Sequence, residues 1–168
     1  RKTIAAKVYE FDAHAVEMNQ RYVSDAVVTG GQPAPAFEKD AELHYQPTTW
    51  PGARLPHAWL FAQDGSRLST LDLCGKGRFT VLTGIGGHGW VEAAGQLGAE
   101  LGLDIAAHVI GPRQVWQDLH GDWARQREVS DSGIVLVRPD HHVCWRSEAA
   151  AADPLAELRR ALTSILAL

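Results

Sequence analysis

FTVLTGIGGHGWVEAAGQLGAEL, running from Phe79 to Leu101, is the stretch on which the fold reading turns. Phe79–Thr83 is a short run of apolar and β-branched residues, the pattern of a strand buried on both faces. Gly84, Gly86, Gly87 and Gly89 follow, where the chain can turn sharply because no Cβ restricts φ. Val91, Ala94, Leu97 and Leu101 then recur at helical spacing. Ile105–Ile110 predicts a second buried strand, so the segment reads as a βαβ unit with parallel strands and a right-handed crossover.

Gly84-Ile85-Gly86-Gly87-His88-Gly89 also matches G-x-G-x-x-G between a strand and a helix, the context of a dinucleotide-binding turn. That chemistry needs a carboxylate at the end of the second strand to hold the ribose hydroxyls. Here that strand runs into Gly111-Pro112-Arg113, and Asp104 stands at its beginning. Arg113 could meet a 2′-phosphate, so a free-standing NADP-binding domain is one alternative. A plain glycine turn that lets helix and sheet pack closely is the other.

Outward from this unit, Ile4, Val8, Phe11, Ala15, Met18 and Tyr22 form one apolar stripe on a predicted long N-terminal helix. No capping residue precedes it, which suggests a piece of something longer, with part of the stripe facing a missing neighbour. Residues 29–40, TGGQPAPAFEKD, have linker composition. Residues 43–57 carry Pro47, Pro51, Pro56 and Gly52 among Tyr45, Trp50 and Leu55, which predicts a structured loop at a domain seam. The expected division is 1–45, a junction helix and linker, and 46–168, the folded domain.

Ala58–Phe61 and Leu68–Leu73 flank Asp64-Gly65, a hairpin signal. Beyond the central unit, Val115, Trp116, Leu119 and Trp123 predict a helix that Gly121 weakens. Ile134–Arg138 and Val143–Arg146 enclose Pro139–His142 as a second hairpin. Asp153-Pro154 caps a last helix that buries Leu155, Leu158, Leu162 and Ile165. The order is β-α-β-α-β-β-α preceded by a hairpin. It predicts an α/β fold, a thioredoxin-like mixed sheet with helices on both faces, plus the long N-terminal helix. A redox thioredoxin needs thiolates at the turn into its first core helix, where this chain has Ile85-Gly86-Gly87-His88.

Composition narrows the function classes. The 168 residues suffice for one good core, and the net charge of −4 gives no attraction to nucleic acid or anionic membranes. No apolar run approaches a membrane span, and no secretory signal is visible, so a cytoplasmic location is expected. Cys74 and Cys144 form no C-x-x-C and read as two separate buried thiols. The eight histidines form no metal motif. The His141-His142 pair is expected on a solvated turn, and His88 as a helix cap.

Three segments together resemble the C-terminal part of flavin-dependent aromatic hydroxylases, the phenol and 2,4-dichlorophenol 6-monooxygenases above all. They are Tyr45-Gln46-Pro47-Thr48-Thr49-Trp50-Pro51-Gly52-Ala53-Arg54-Leu55-Pro56-His57, Leu68–Leu73, and Val135-Leu136-Val137-Arg138-Pro139-Asp140 with Trp145-Arg146. The resemblance extends over nearly the whole chain. It departs from the family at His141, where glycine is usual, and at Cys144, where a small residue is common. It implies a parent enzyme that hydroxylates an aromatic ring with FAD, NAD(P)H and O2, built from an FAD-binding domain, a substrate domain and this tail. The tail then holds no cofactor, no metal and no catalytic residue. Its partners are the other domains of the same polypeptide, with a homo-oligomer interface as a further role. A stand-alone interaction module with a redox-dead fold is a third alternative. Phe11, Met18, Trp50, Arg54 and His57 are the candidate domain-interface residues, and Arg54, Arg138 and Arg146 are expected to form ion pairs that fix loops.

Overall fold

The computed structural model describes residues 2–168. A four-stranded sheet organises it, in the spatial order β4-β3-β5-β6, where β3 is Phe79–Thr83, β4 Ile105–Val109, β5 Ile134–Val137 and β6 Val143–Ser147. β3 runs parallel to β4 and antiparallel to β5, and β5 runs antiparallel to β6. The helix α4, His88–Leu101, makes the crossover between the two parallel strands. A separate hairpin of β1, Trp59–Phe61, and β2, Arg67–Ser69, precedes them. The chain is thus a mixed α/β structure with the predicted order of elements.

The two central strands are buried along nearly their whole length, β5 with apolar side chains throughout and β3 with Thr80 and Thr83 among them, because both of their faces are covered. Along β5 the side chains alternate. Val135 and Val137 join Leu82, Leu55, Leu60, Leu73, Ile110 and Trp123 on one face. Ile134 and Leu136 join Val81, Trp90, Leu97, Leu158 and Leu162 on the other. This second face is covered by α4 packed against α6, Pro154–Leu166. The first is covered by the hairpin and two short helices, α3 (Thr70–Leu73) and α5 (Asp122–Gln126). Cys74 lies in the first cluster and Cys144 in the second, so the sheet separates the two free thiols.

Four expectations are corrected. Residues 68–73 do not form one strand: Ser69 accepts a hydrogen bond from the Asp72 amide, Asp72 accepts one from the Ser69 amide, and this capping box starts α3. The helix predicted over 115–123 begins only at Asp122, because Gly121 has φ +69° and leaves Val115 and Leu119 exposed. β4 is an edge strand, so its side chains are half-buried instead of enclosed on both faces. The long N-terminal helix is interrupted: α1 spans Lys2–Asp12, and a single turn, α2, spans Ala15–Met18. Among the described residues no helix is long and apolar enough to cross a membrane.

Candidate functional site

The glycine turn closes on itself. A Cβ on Gly84 would lie 2.6 Å from the Asp131 carbonyl oxygen, and one on Gly87 would lie 1.7 Å from Thr83 Oγ1. The Gly86 amide donates to the Asp131 carbonyl at 3.0 Å, and Trp90 Nε1 donates to the Ser132 carbonyl at 2.9 Å. Residues 131–132 therefore fill the space beside the turn where a pyrophosphate would approach. His88 opens α4 but does not cap it: the N-cap is Gly87, and no side chain bonds to it there. Among the described residues no group of three or more His, Cys, Asp or Glu side chains is placed to hold a metal ion. Burial pushes the Cys74 and Cys144 thiols up to about 12, leaving neither as a nucleophile near neutral pH.

Two of the three characteristic segments, 45–57 and 135–146, meet at the outer edge of β6. The Gly52 amide donates to Val143, the Val143 amide to Ala53, and the Leu55 amide to His141. Gly52 has φ +99°, and a Cβ there would lie 2.2 Å from the Tyr22 carbonyl oxygen. The Tyr22 amide in turn donates to Gly52 at 2.9 Å, and the Val28 amide to Cys144 at 2.7 Å. The segment after α2 is thus sewn along the same edge. Arg138 pairs with Asp140 at 2.6 Å, while Arg146 pairs with Glu128, donates to Thr49 and lies 5.3 Å from the Trp50 ring centroid.

His141 is not a solvated turn residue. Its backbone has φ +66°, and its half-buried ring lies over Gly75, with Nε2 3.1 Å from the Leu71 carbonyl. His142 is also half-buried, its ring 4.8 Å from that of Tyr22. Both histidines tie the hairpin to other segments, which local sequence could not disclose.

The candidate interface residues do not share one environment. Phe11 is 83% exposed, on a stripe with Ile4 at 69% and Val8 at 54%. Met18 is half-buried, and Trp50 is buried within this chain. Arg54 is exposed beside His142, with no ion pair among the described residues, contrary to expectation. His57 is exposed and presents its ring to Trp59 at 4.9 Å. Between the residues that flank α2 and the linker lies a cleft of about 650 Å³, bordered by His14, Arg21, Lys39, His44, Tyr45 and Glu128 among others. Sequence reading missed this cleft because its walls come from stretches with no periodic pattern.

The chain is similar to known proteins along nearly its full length. It is 49% identical over 166 residues to the 2,4-dichlorophenol 6-monooxygenase of Delftia acidovorans, covering 99% of this chain and 28% of that protein. It is 49% identical over 154 residues to the phenol 2-monooxygenase of Pseudomonas sp. (strain EST1001), covering 92% and 25%. The solved structure of the flavin-dependent monooxygenase PieE, in complex with FAD and substrate, superposes with a TM-score of 0.87 at 45% identity, covering 99% and 28%. That of aklavinone-11 hydroxylase, with FAD and aklavinone, gives 0.78 at 35% identity, covering 90% and 27%. This chain therefore spans little more than a quarter of the length of these relatives. Residues 48–167 match the model of the C-terminal region of aromatic-ring hydroxylases, and the chain belongs to that family.

Proposed function

We propose that this chain is the C-terminal, non-catalytic domain of an FAD-dependent monooxygenase that hydroxylates phenols, and that it braces the flavin-binding part of the same polypeptide. The observation that carries the bracing role is the exposed stripe of Ile4, Val8 and Phe11, an apolar helix face that none of the described residues covers. The chain's own chemistry supports a silent role: two buried thiols with raised pKa and a glycine turn already filled by residues 131–132. That filled turn does not fit FAD or NADP, so flavin and nicotinamide belong to the remainder of the enzyme. Bound there, the flavin supplies the oxygen-transfer chemistry. This domain's contribution is to hold the protein around it.

The thioredoxin-like reading is supported by the β4-β3-β5-β6 order, with one parallel and two antiparallel pairings. The relatives' names point to phenol or chlorophenol as substrate class. Titrating the 168-residue chain with FAD and with NADPH tests the silent role, and no saturable binding is expected. Tight binding of either by this chain alone would overturn it. Amide exchange tests the bracing role: α1 should exchange more slowly in the full-length enzyme than in the 168-residue chain. Equal rates would remove the bracing role and leave the family membership intact.

A further inference from the structure

We infer that β4 pairs antiparallel with β4 of a second copy of this chain, about a twofold axis through Ala107, joining the two four-stranded sheets into one. The inference concerns one edge of the sheet and is independent of the bracing role of α1. The Ile110 amide donates to the Thr83 carbonyl at 2.8 Å, and alternate residues of a strand turn their backbone groups to the same neighbour. Ala106 and His108 therefore bond to β3. Ile105, Ala107 and Val109 turn their amides and carbonyls outward, and among the described residues nothing takes them up. The opposite edge, β6, is covered by the segments around Val28 and Gly52. Beyond Val109, Trp116 bridges Ile110 and closes the open stretch.

Strands left at a sheet edge are ordinarily guarded by lysine, proline, a bulge or an inward charge. β4 reads Ile-Ala-Ala-His-Val, in unbroken register with β3. Burial, with Arg78 and Lys76 nearby, holds His108 below the usual histidine range, so the strand is uncharged at neutral pH. Its pattern suits a second copy in the antiparallel sense. With Ala107 facing Ala107, Ile105 faces Val109 and Ala106 faces His108, so no two large rings or like charges collide. The outward residues of the two copies then fall in one phase, and each facing pair exchanges both of its hydrogen bonds. Asp104 and Arg113 stand exposed beyond opposite ends of β4, neither in an ion pair among the described residues. Antiparallel pairing brings Asp104 of each copy to the end that carries Arg113 of the other, whereas a parallel pair would set Asp104 beside Asp104. The helix over the edge also leaves room. A Cβ on Gly98 would lie 3.9 Å from Ile105 Cγ1, and Gly95, nearly a turn earlier, has open space beside it. Such a contact uses the same patch twice and closes at a dimer.

The test uses the full-length enzyme. Ala107→Cys sets two thiols at facing positions about 5.5 Å apart between α-carbons, within disulfide reach. Mild oxidation is expected to link the two substituted positions, identified by mass spectrometry. Asp104→Cys, which the axis holds about 20 Å from its mate, is expected not to link. Ala107→Pro removes only an outward amide and spares every bond to β3. It is expected to raise the dimer dissociation constant at least about a hundredfold, read by sedimentation velocity. A further readout needs no substitution: in the parent enzyme the amides of Ile105, Ala107 and Val109 should exchange at least about tenfold faster once dilution gives the monomer. A full-length enzyme that stays monomeric overturns the inference, and protection of those amides in it would assign the edge to another strand of the same polypeptide. A dimer that Ala107→Pro leaves intact and Ala107→Cys does not link overturns it as well. Either result leaves the exchange test of α1, and with it the bracing role, undecided by these data and standing on its own.

Discussion

At the scale of single residues, two backbone positions carry sharp predictions. Gly52 combines φ +99° with a Tyr22 carbonyl oxygen 2.2 Å from where a β-carbon would stand, so Gly52→Ala must move the backbone of one segment or the other. The expected cost is about 3 kcal/mol, measured by denaturant unfolding. His141 poses the opposite problem, since a β-carbon sits at φ +66° and the ring compensates by contacting Gly75 and the Leu71 carbonyl. His141→Ala keeps the strain and loses the ring, and should cost about 1–2 kcal/mol. His141→Gly relieves the strain and should be the milder change; a larger loss for glycine than for alanine would show that the left-handed backbone at 141 holds no strain to relieve. The thiols give a third prediction. Both pKa values are raised from 9.0 to about 12, so the associated stability is complete below pH 9 and is lost as pH climbs toward 12. Neither cysteine should react with a disulfide reagent at pH 8 until the chain unfolds. Some of this was legible in sequence and some was not. The Asp153 cap is local, and its bond to the Ala156 amide follows from Asp-Pro before an apolar helix. The partner of His141 lies 70 residues away, and nothing near position 141 announces it.

At the scale of elements, apolar periodicity identified β3, α4, β5, β6 and α6, because each buries a continuous face. It failed where a local capping signal competes with apolar content. Ser69-Thr70-Leu71-Asp72 contains the spacing of a capping box, and that hydrogen-bond pair decides for a helical turn over strand continuation. The Asp72 carboxylate accepts the Ser69 amide at 2.8 Å, and its pKa is lowered from 3.8 by that bond first. A lowered carboxylate contributes stability above the unfolded value and loses it as pH falls through the folded one. The melting temperature of Asp72→Asn should therefore trail the parent by a constant few degrees at most from neutral pH to about 5. The gap should close below pH 3.8, with solvent screening keeping it small throughout. A gap that persists in acid would assign the effect to geometry instead of charge. Edge strands were harder to read, since Ile105–Val109 has the apolar content of an interior strand and only its place in the sheet leaves it half-covered.

At the scale of the whole molecule, sequence gave the order of layers but not which surfaces remain uncovered. The stripe on α1 was legible as a stripe, yet only the packing shows Ala15 buried while Phe11 is 83% exposed. Phe11→Asp should accordingly lower the melting temperature of the full-length enzyme by several degrees and that of the 168-residue chain by less than about one. Equal losses in both would mean that Phe11 faces its own chain in solution. The cleft at Arg21 was invisible in sequence for a related reason, since its walls come from the residues flanking α2, from the linker, from 43–48 and from Glu128. The strip of chain sewn along β6 through Val28, Gly52 and Ala53 has a practical meaning as well. A shortened version beginning near Gln46 would look like a tidy minimal unit, but it would strip the amide of Val28 from Cys144 and bare a row of hydrogen-bonding groups. Such a version is expected to recruit strands from its neighbours and precipitate, so material for crystallisation or spectroscopy should retain everything from the first turn of α2 onward.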